Sequence, residues 1–223
     1  MFDHVDGGAD AELTLGRNAC ASREWEFLPR CLVDVGEIDA SRTLLERRVP
    51  APLVLAPTGY SRLMHPAGEL AVAAAAKQPG LPYALSTVAS TSVEDLAASG
   101  PDKLWLQLYL WRDRGATEEL VARAWASGYR VLAVSVDTAV PGRRSRDVRN
   151  GALGADAGAV GRAYLYGLMA AGQAGVAHAL GLLLAQFTRT VALLGVTSVA
   201  ELRAGGRELL RRRCAERTDR GGP

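Results

Sequence analysis

The run from Tyr129 to Asn150, Tyr-Arg-Val-Leu-Ala-Val-Ser-Val-Asp-Thr-Ala-Val-Pro-Gly-Arg-Arg-Ser-Arg-Asp-Val-Arg-Asn, decides how the chain is read. From Val131 its residues alternate. Val131, Ala133, Ser135 and Asp137 share one face, and Leu132, Val134 and Val136 share the other, the period of two that a strand imposes. The second face is wholly aliphatic. The first turns polar only at its C-terminal end, where barrels and open α/β sheets keep their active sites. A strand that ends on a carboxylate and runs into Gly142-Arg143-Arg144 is suited to meet an anion. A buried strand ending in a solvated basic loop is the other reading of the same residues.

The neighbouring sequence repeats the pattern. Upstream, a helix over about 116–127 ends at Gly128, and Leu104, Leu106 and Leu108 alternate with Trp105, Gln107 and Tyr109 in a strand over 104–110. Gln107 and Tyr109 therefore point the same way. Before that strand, Thr91 and Ser92, each followed three residues later by an acid, open a short helix that ends near Gly100. A strand over 82–87 precedes it. The alanine-rich run from Pro66 to Lys77, stopped by Pro79-Gly80, predicts a helix, and a first strand covers 52–56. Strand and helix thus alternate in units of roughly 25 to 30 residues, the rhythm of βαβ units and a parallel sheet. Past Asn150 the rhythm breaks. A glycine-rich stretch with a brief strand at 157–160 leads through Gly161-Arg162 into a long amphipathic helix. Its stripe is Val176, Leu180, Leu183, Leu184, Phe187, Val191 and Leu194. Gly195 ends that helix, and Ser198 with Glu201 opens a last short one. Residues 1–48 read as a mostly helical lead-in, residues 49–150 as the first four strand-helix units, residues 151–210 as a last unit and residues 211–223 as a basic tail, all in one domain.

The chain has 223 residues, 48% of them apolar, enough for one sizeable core. A net charge of +2 is too mild to imply nucleic acid, and the arginine-rich tail over 203–220 reads as frayed and solvated. The three cysteines, Cys20, Cys31 and Cys214, stand at no metal-ligand spacing and read as structural thiols in a reducing compartment. No basic-then-apolar leader follows Met1, and the uninterrupted apolar runs are too short to span a bilayer. A cytoplasmic protein without membrane or metal is the expectation.

Along the chain stand, in order, Phe2-Asp3-His4-Val5-Asp6-Gly7-Gly8-Ala9, Leu55-Ala56-Pro57-Thr58-Gly59, His65-Pro66-Ala67-Gly68-Glu69, Leu85-Ser86-Thr87-Val88-Ala89-Ser90-Thr91-Ser92, Leu106-Gln107-Leu108-Tyr109, and Val136-Asp137-Thr138 through Gly142-Arg143-Arg144. In that order these stretches resemble the FMN-dependent α-hydroxy-acid dehydrogenase and oxidase family, the group of glycolate oxidase, lactate oxidase and mandelate dehydrogenase. Ala152-Leu153-Gly154-Ala155-Asp156 through Val160-Gly161-Arg162 and the long helix resemble the closing unit. The resemblance implies an α/β fold, a TIM-type (β/α) barrel that typically takes about 250 residues. Here it is incomplete, with units resembling strands one to four and then, after a jump at about Gly151, the eighth.

By the same resemblance, the backbone at Pro57, Thr58 and Gly59 and the side chains of Ser86, Gln107 and Ser135 would contact FMN. Gly161 and Arg162 would contribute to its phosphate site. Tyr109 would hydrogen-bond a small 2-hydroxy acid, Arg144 would pair with its carboxylate, and His4 stands where the family carries a substrate-binding tyrosine. Asp137 would orient a catalytic histidine, which no histidine here matches: His65 reads as a capping or packing residue and His178 as lying on the flank of the long helix. Gly59 and Val88 leave room over the flavin for a bulky or aryl substrate. Three readings follow. The chain is an FMN-dependent oxidoreductase taking a 2-hydroxy acid to a 2-oxo acid, with a homo-oligomer expected. It is instead a catalytically dead remnant or a half-barrel completed by a partner. Or it is a phosphate-binding α/β protein without flavin.

Overall fold

The computed structural model describes residues 2–100, 102–136, 145 and 162–212, apart from the side chains of Phe2, His4 and Arg162. Helices α1 (Phe2–Asp6) and α2 (Leu13–Ser22) and the short strand β1 (Trp25–Phe27) open the chain. A hairpin of β2 (Arg42–Leu44) and β3 (Arg47–Val49) follows, so the lead-in is less helical than the sequence predicts. Leu45 and Glu46, at its tip, both take left-handed backbone angles, φ 44 and 67, which suit the right-handed twist of a two-residue turn.

The parallel sheet comes next, and its strands fall where alternation places them. Helix α3 (Gly68–Lys77), strand β4 (Tyr83–Ser86), helix α4 (Val93–Ser99), strand β5 (Leu104–Tyr109), helix α5 (Arg114–Ala126) and strand β6 (Val131–Ser135) alternate, with strand order β4-β5-β6. The predicted first strand is reduced to a bridge: Leu55 N donates to Pro82 O and Ala84 N to Leu55 O, both at 3.0 Å. Pro52 and Pro57 flank that bridge, and neither can donate to a ladder. Ser92 caps α4 through Asp95 N at 3.0 Å, and Asp113 caps α5 through Ala116 N at 3.1 Å. Thr91, the other predicted cap, is turned inward.

The outer face of this sheet is the core. Tyr83, Leu85, Leu104 and Leu106 are buried beneath Ala71, Val72, Ala75 and Ala76 of α3, Val93 and Leu96 of α4, and Ala124 and Tyr129 at the end of α5. The alanines keep α3 thin enough for a second helix to lie on it. That helix, α6 (Arg162–Leu193), is kinked at Ala171 and Gly172, where φ is −153 and 54, and buries Tyr164, Leu165, Leu168, Val176 and Leu180 in the same cluster. The kink has a packing cause: Gly172 faces the His65 ring, and the Gly167 and Gly175 backbones touch across the bend.

Residues Ala163–Leu193 are also long and apolar enough to cross a membrane by length and composition, with a mean hydropathy of 1.6 over an 18-residue window. Counting uninterrupted apolar runs hides this, because His178 and Arg189 only punctuate the stretch. Helix α7 (Val199–Gly205) follows, its cap Ser198 accepting from Glu201 N at 3.1 Å. Leu183, predicted on the apolar stripe of α6, is exposed, whereas Val191 and Leu194 pack with Val196 and Leu209 in a second small cluster.

Two expectations are overturned. Strand β7 (Leu210–Arg212), inside the tail read as frayed, pairs antiparallel with β1, and the ion pairs Arg211–Glu26 at 2.6 Å and Arg212–Glu24 at 2.7 Å run along the ribbon. Alternating glutamate and arginine partners 185 or more residues apart leave no local signal. Cys20 and Cys31 are exposed free thiols and not packed ones; Cys214 lies outside the described residues, as does the strand predicted over 157–160.

The glycines of α6 supply a test. A methyl on Gly175 would overlap the Gly167 carbonyl, whereas nothing lies within 4 Å of one on Gly181. Gly175→Ala is expected to destabilise the chain by about 2 kcal/mol or more, and Gly181→Ala to stabilise it by about 0.5–1 kcal/mol, read from urea midpoints.

Candidate functional site

The inner face of the sheet, turned away from the helices, carries Ala84 and Ser86 from β4, Trp105, Gln107 and Tyr109 from β5, and Val131, Ala133 and Ser135 from β6. Register brings the polar ones level, with Ser86 opposite Gln107 and Tyr109 opposite Ser135. They form one hydrogen-bonded row. Ser86 Oγ donates to Gln107 Oε1 at 3.1 Å, and Gln107 Nε2 donates to Ser135 Oγ at 2.9 Å. Thr87 N adds a second donor to Oε1 at 3.3 Å. Gln107 is only 4% exposed, so an unpartnered amide there would be costly, and both its ends are met. One Nε2 hydrogen remains without a protein partner among the described residues.

Thr87, which sequence reasoning passed over, stitches the strand tips. Its hydroxyl donates to Gln107 O at 2.6 Å and accepts from Tyr109 N at 3.0 Å. The loop of Pro57, Thr58 and Gly59 joins the row through Tyr60 N, which donates to Val88 O at 3.1 Å, while Val88 N donates to Ser86 Oγ at 3.3 Å.

The Thr58 side chain points the other way and is buried. Tyr164 at the start of α6 donates its single hydroxyl hydrogen to Ala56 O at 2.7 Å, so Thr58 must donate to Tyr164 across their 2.8 Å contact. Burial pushes the Tyr164 hydroxyl well up, so it stays protonated as a fixed tie between the first strand end and the beginning of α6. Tyr164 was also missed; its place two residues after Arg162 is the only sequence cue. Glu69, to which the sequence gives no role, is fully buried beneath these loops.

Ser86, Gln107, Ser135 and the loop at 57–59 are thus brought together, with half-buried Tyr109 on the same face. Asp137, Arg144 and Gly161, and the side chains of His4 and Arg162, lie outside the described residues. His65 is engaged elsewhere: its Nδ1 accepts from Ala67 N at 3.2 Å, and its ring lies on the kink of α6. His178 is exposed on that helix.

A polar row thus lies at the C-terminal ends of parallel strands, and the sequence matches the profile of one enzyme family. That profile, described as FMN-dependent dehydrogenase, matches residues 1–152 and again 150–211. The chain belongs to the FMN-dependent dehydrogenase family. It is similar to an L-lactate dehydrogenase of Xanthobacter autotrophicus, 41% identical over 157 residues, 70% of this chain and 40% of the relative. It is similar also to the glycolate oxidase of Spinacia oleracea, 39% identical over 150 residues, 67% of this chain and 41% of the relative. The chain spans 36% to 41% of the length of the curated relatives it matches.

Among solved family structures, a mandelate oxidase matches with a TM-score of 0.84 and 27% identity, over 91% of this chain and 92% of that one. A soluble mutant of the membrane-associated (S)-mandelate dehydrogenase from Pseudomonas putida matches with a TM-score of 0.87 and 25% identity, over 95% and 94%. The FMN-dependent dehydrogenase fold is a TIM-type barrel; the described residues show a partial sheet of it and no closed barrel.

Ser135→Ala would leave Gln107 Nε2 buried without its acceptor. It is expected to lower stability by about 1–2 kcal/mol in a denaturant titration, with Ser135→Thr retaining most of it.

Proposed function

We propose that this chain is an FMN-dependent oxidoreductase whose site takes a small 2-hydroxy acid to a 2-oxo acid. The observation that carries the reading is the Ser86–Gln107–Ser135 row. It offers amide and hydroxyl groups at the strand ends, in a chain whose family is FMN-dependent. That donor set fits a flavin, whose ring edge alternates hydrogen-bond donors and acceptors, and the spare Nε2 hydrogen of Gln107 needs a partner of that kind. The backbone at Pro57, Thr58 and Gly59 would line the ring together with Ser86, Gln107 and Ser135. Gly161 and Arg162 would hold the phosphate.

Bound there, FMN supplies the acceptor for the hydride equivalent leaving the hydroxyl-bearing carbon. Tyr109 would hydrogen-bond the substrate, Arg144 would neutralise its carboxylate, and His4 would lie at the substrate side. Asp137 would stabilise a charged imidazole. The histidine it would serve has no match in the sequence. The relatives named as lactate, glycolate and mandelate enzymes support a 2-hydroxy acid as substrate class.

The architecture proposed is the first four strand-helix units joined at about Gly151 to the eighth, supported by the break of the family match at residues 150–152. One observation favours a second reading, a half-barrel completed by a partner, most simply a second copy. The outer face of β6 is uncovered among the described residues, Leu132 and Val134 at 45% exposure with Val136 just past the strand at 87%, and Leu182 and Leu183 of α6 are exposed as well. In a complete barrel the outer ring of helices covers that strand face.

Purified chain incubated with FMN is expected to retain the yellow flavin through gel filtration and to bleach anaerobically with lactate, glycolate or mandelate. Protein that emerges colourless removes the first reading. Bleaching that appears only in dimer fractions and vanishes on dilution selects the second.

A further inference from the structure

Glu69 has no solvent exposure, although it stands in the first turn of the alanine-rich α3. A carboxylate so placed takes up a proton unless its charge is answered. The hydrogen bonds found for it all come from neutral groups. Oε1 accepts from Ser61 N at 3.2 Å, Ser90 N at 2.9 Å and Ser90 Oγ at 2.9 Å, and Oε2 accepts from Thr91 Oγ1 at 2.9 Å and Ser90 Oγ at 3.1 Å. Burial pushes the carboxyl up, but the Ser90 backbone and the Thr91 and Ser90 hydroxyls outweigh it and hold Glu69 below the ordinary carboxylate value.

These donors belong to two different loops. Ser61 ends the loop that carries Pro57, Thr58 and Gly59; Ser90 and Thr91 belong to the loop that leaves Ser86. Direct ties between the two loops are sparse: Tyr60 N to Val88 O and Arg62 N to Ser90 Oγ, both at 3.1 Å. Four donors converge on one point, and only a carboxylate offers about four lone-pair sites; an amide oxygen offers two.

We propose that Glu69 is a positioning residue of the FMN site, a buried carboxylate that clamps the first two strand-end loops so that their opposite faces form one rigid wall for the flavin. The clamp itself stands on the hydrogen bonds; only its ligand rests on the flavin reading. Reach matters more than charge for holding the two amides. Glu69→Asp keeps the charge but withdraws it by one methylene from both loops. Glu69→Gln keeps the reach and an oxygen for the two amides, and turns the hydroxyls into acceptors.

Hydrogen exchange in the flavin-free chain tests the clamp, and FMN titration by fluorescence quenching tests its consequence. In Glu69→Ala and Glu69→Asp the amides of Ser61 and Ser90 are expected to exchange roughly 10- to 100-fold faster, with those of β5 and β6 unchanged, and FMN to bind at least about tenfold more weakly. Glu69→Gln should retain most of the protection. A carboxyl with a lowered pKa contributes above its unfolded value and loses its contribution as pH falls through the folded one. Wild-type protection at Ser61 and Ser90 should therefore decline in acid, and that of Glu69→Gln should not.

If Glu69→Ala does not fold, Thr91→Val removes one donor alone and should speed Ser90 exchange by roughly threefold. Unchanged exchange at Ser61 and Ser90 in the folded variants overturns the clamp, as does wild-type FMN affinity in Glu69→Asp. A wild-type chain that binds no FMN sinks the flavin reading instead, and the exchange data still decide the clamp.

Discussion

A primary amide buried at a strand tip must have partners at both ends, and much of this molecule is arranged around that requirement at Gln107. Its oxygen is met from β4 and its nitrogen from β6, so one side chain fixes the register of three strands. The parallel ladder alone would tolerate a slip of two residues without exposing the aliphatic face. The amide would not, because Ser86 and Ser135 would then miss it. The constraint that aligns the sheet therefore also creates its polar inner row.

The second demand comes from the outer face, where a parallel sheet needs a continuous cover. Over β4 that cover is double, a thin alanine helix with α6 laid across it, and α4 and the end of α5 belong to the same core. Tyr164 then ties the start of α6 to the first strand end through Ala56 and Thr58. Toward β6 the cover runs out among the described residues. The aliphatic side of the very strand from which the fold is read is left exposed there, which agrees with a chain shorter than its relatives.

Alternation made β5, β6 and the inward direction of Gln107 and Ser135 legible, since a period of two needs no tertiary information. Ser92 and Ser198 were legible as caps because capping is local. The first strand was only partly so: its position was right, but flanking prolines cut it to one bridge. Glu69 and Thr91 were not legible in their actual roles. A threonine followed by a glutamate reads as a cap, and only the folded chain shows its hydroxyl turned down to a carboxylate 22 residues earlier. The ribbon of β1 and β7 was invisible because nothing in either triplet names the other. Roles toward flavin came only from family resemblance, whereas the hydrogen-bonded row of Ser86, Gln107 and Ser135 is a feature of the fold itself.

That ribbon bears on the order in which the molecule assembles. Arg211 meets Glu26 across 185 residues of chain, and closing so long a loop carries an entropy penalty that grows with the logarithm of its length. Three residue pairs on the surface can offset little of that by themselves. On this argument the ribbon is expected to close only once the intervening sheet and helices have drawn its two halves within reach, and to open first on heating. Early loss of the Trp25 environment, ahead of global melting, would be its spectroscopic mark.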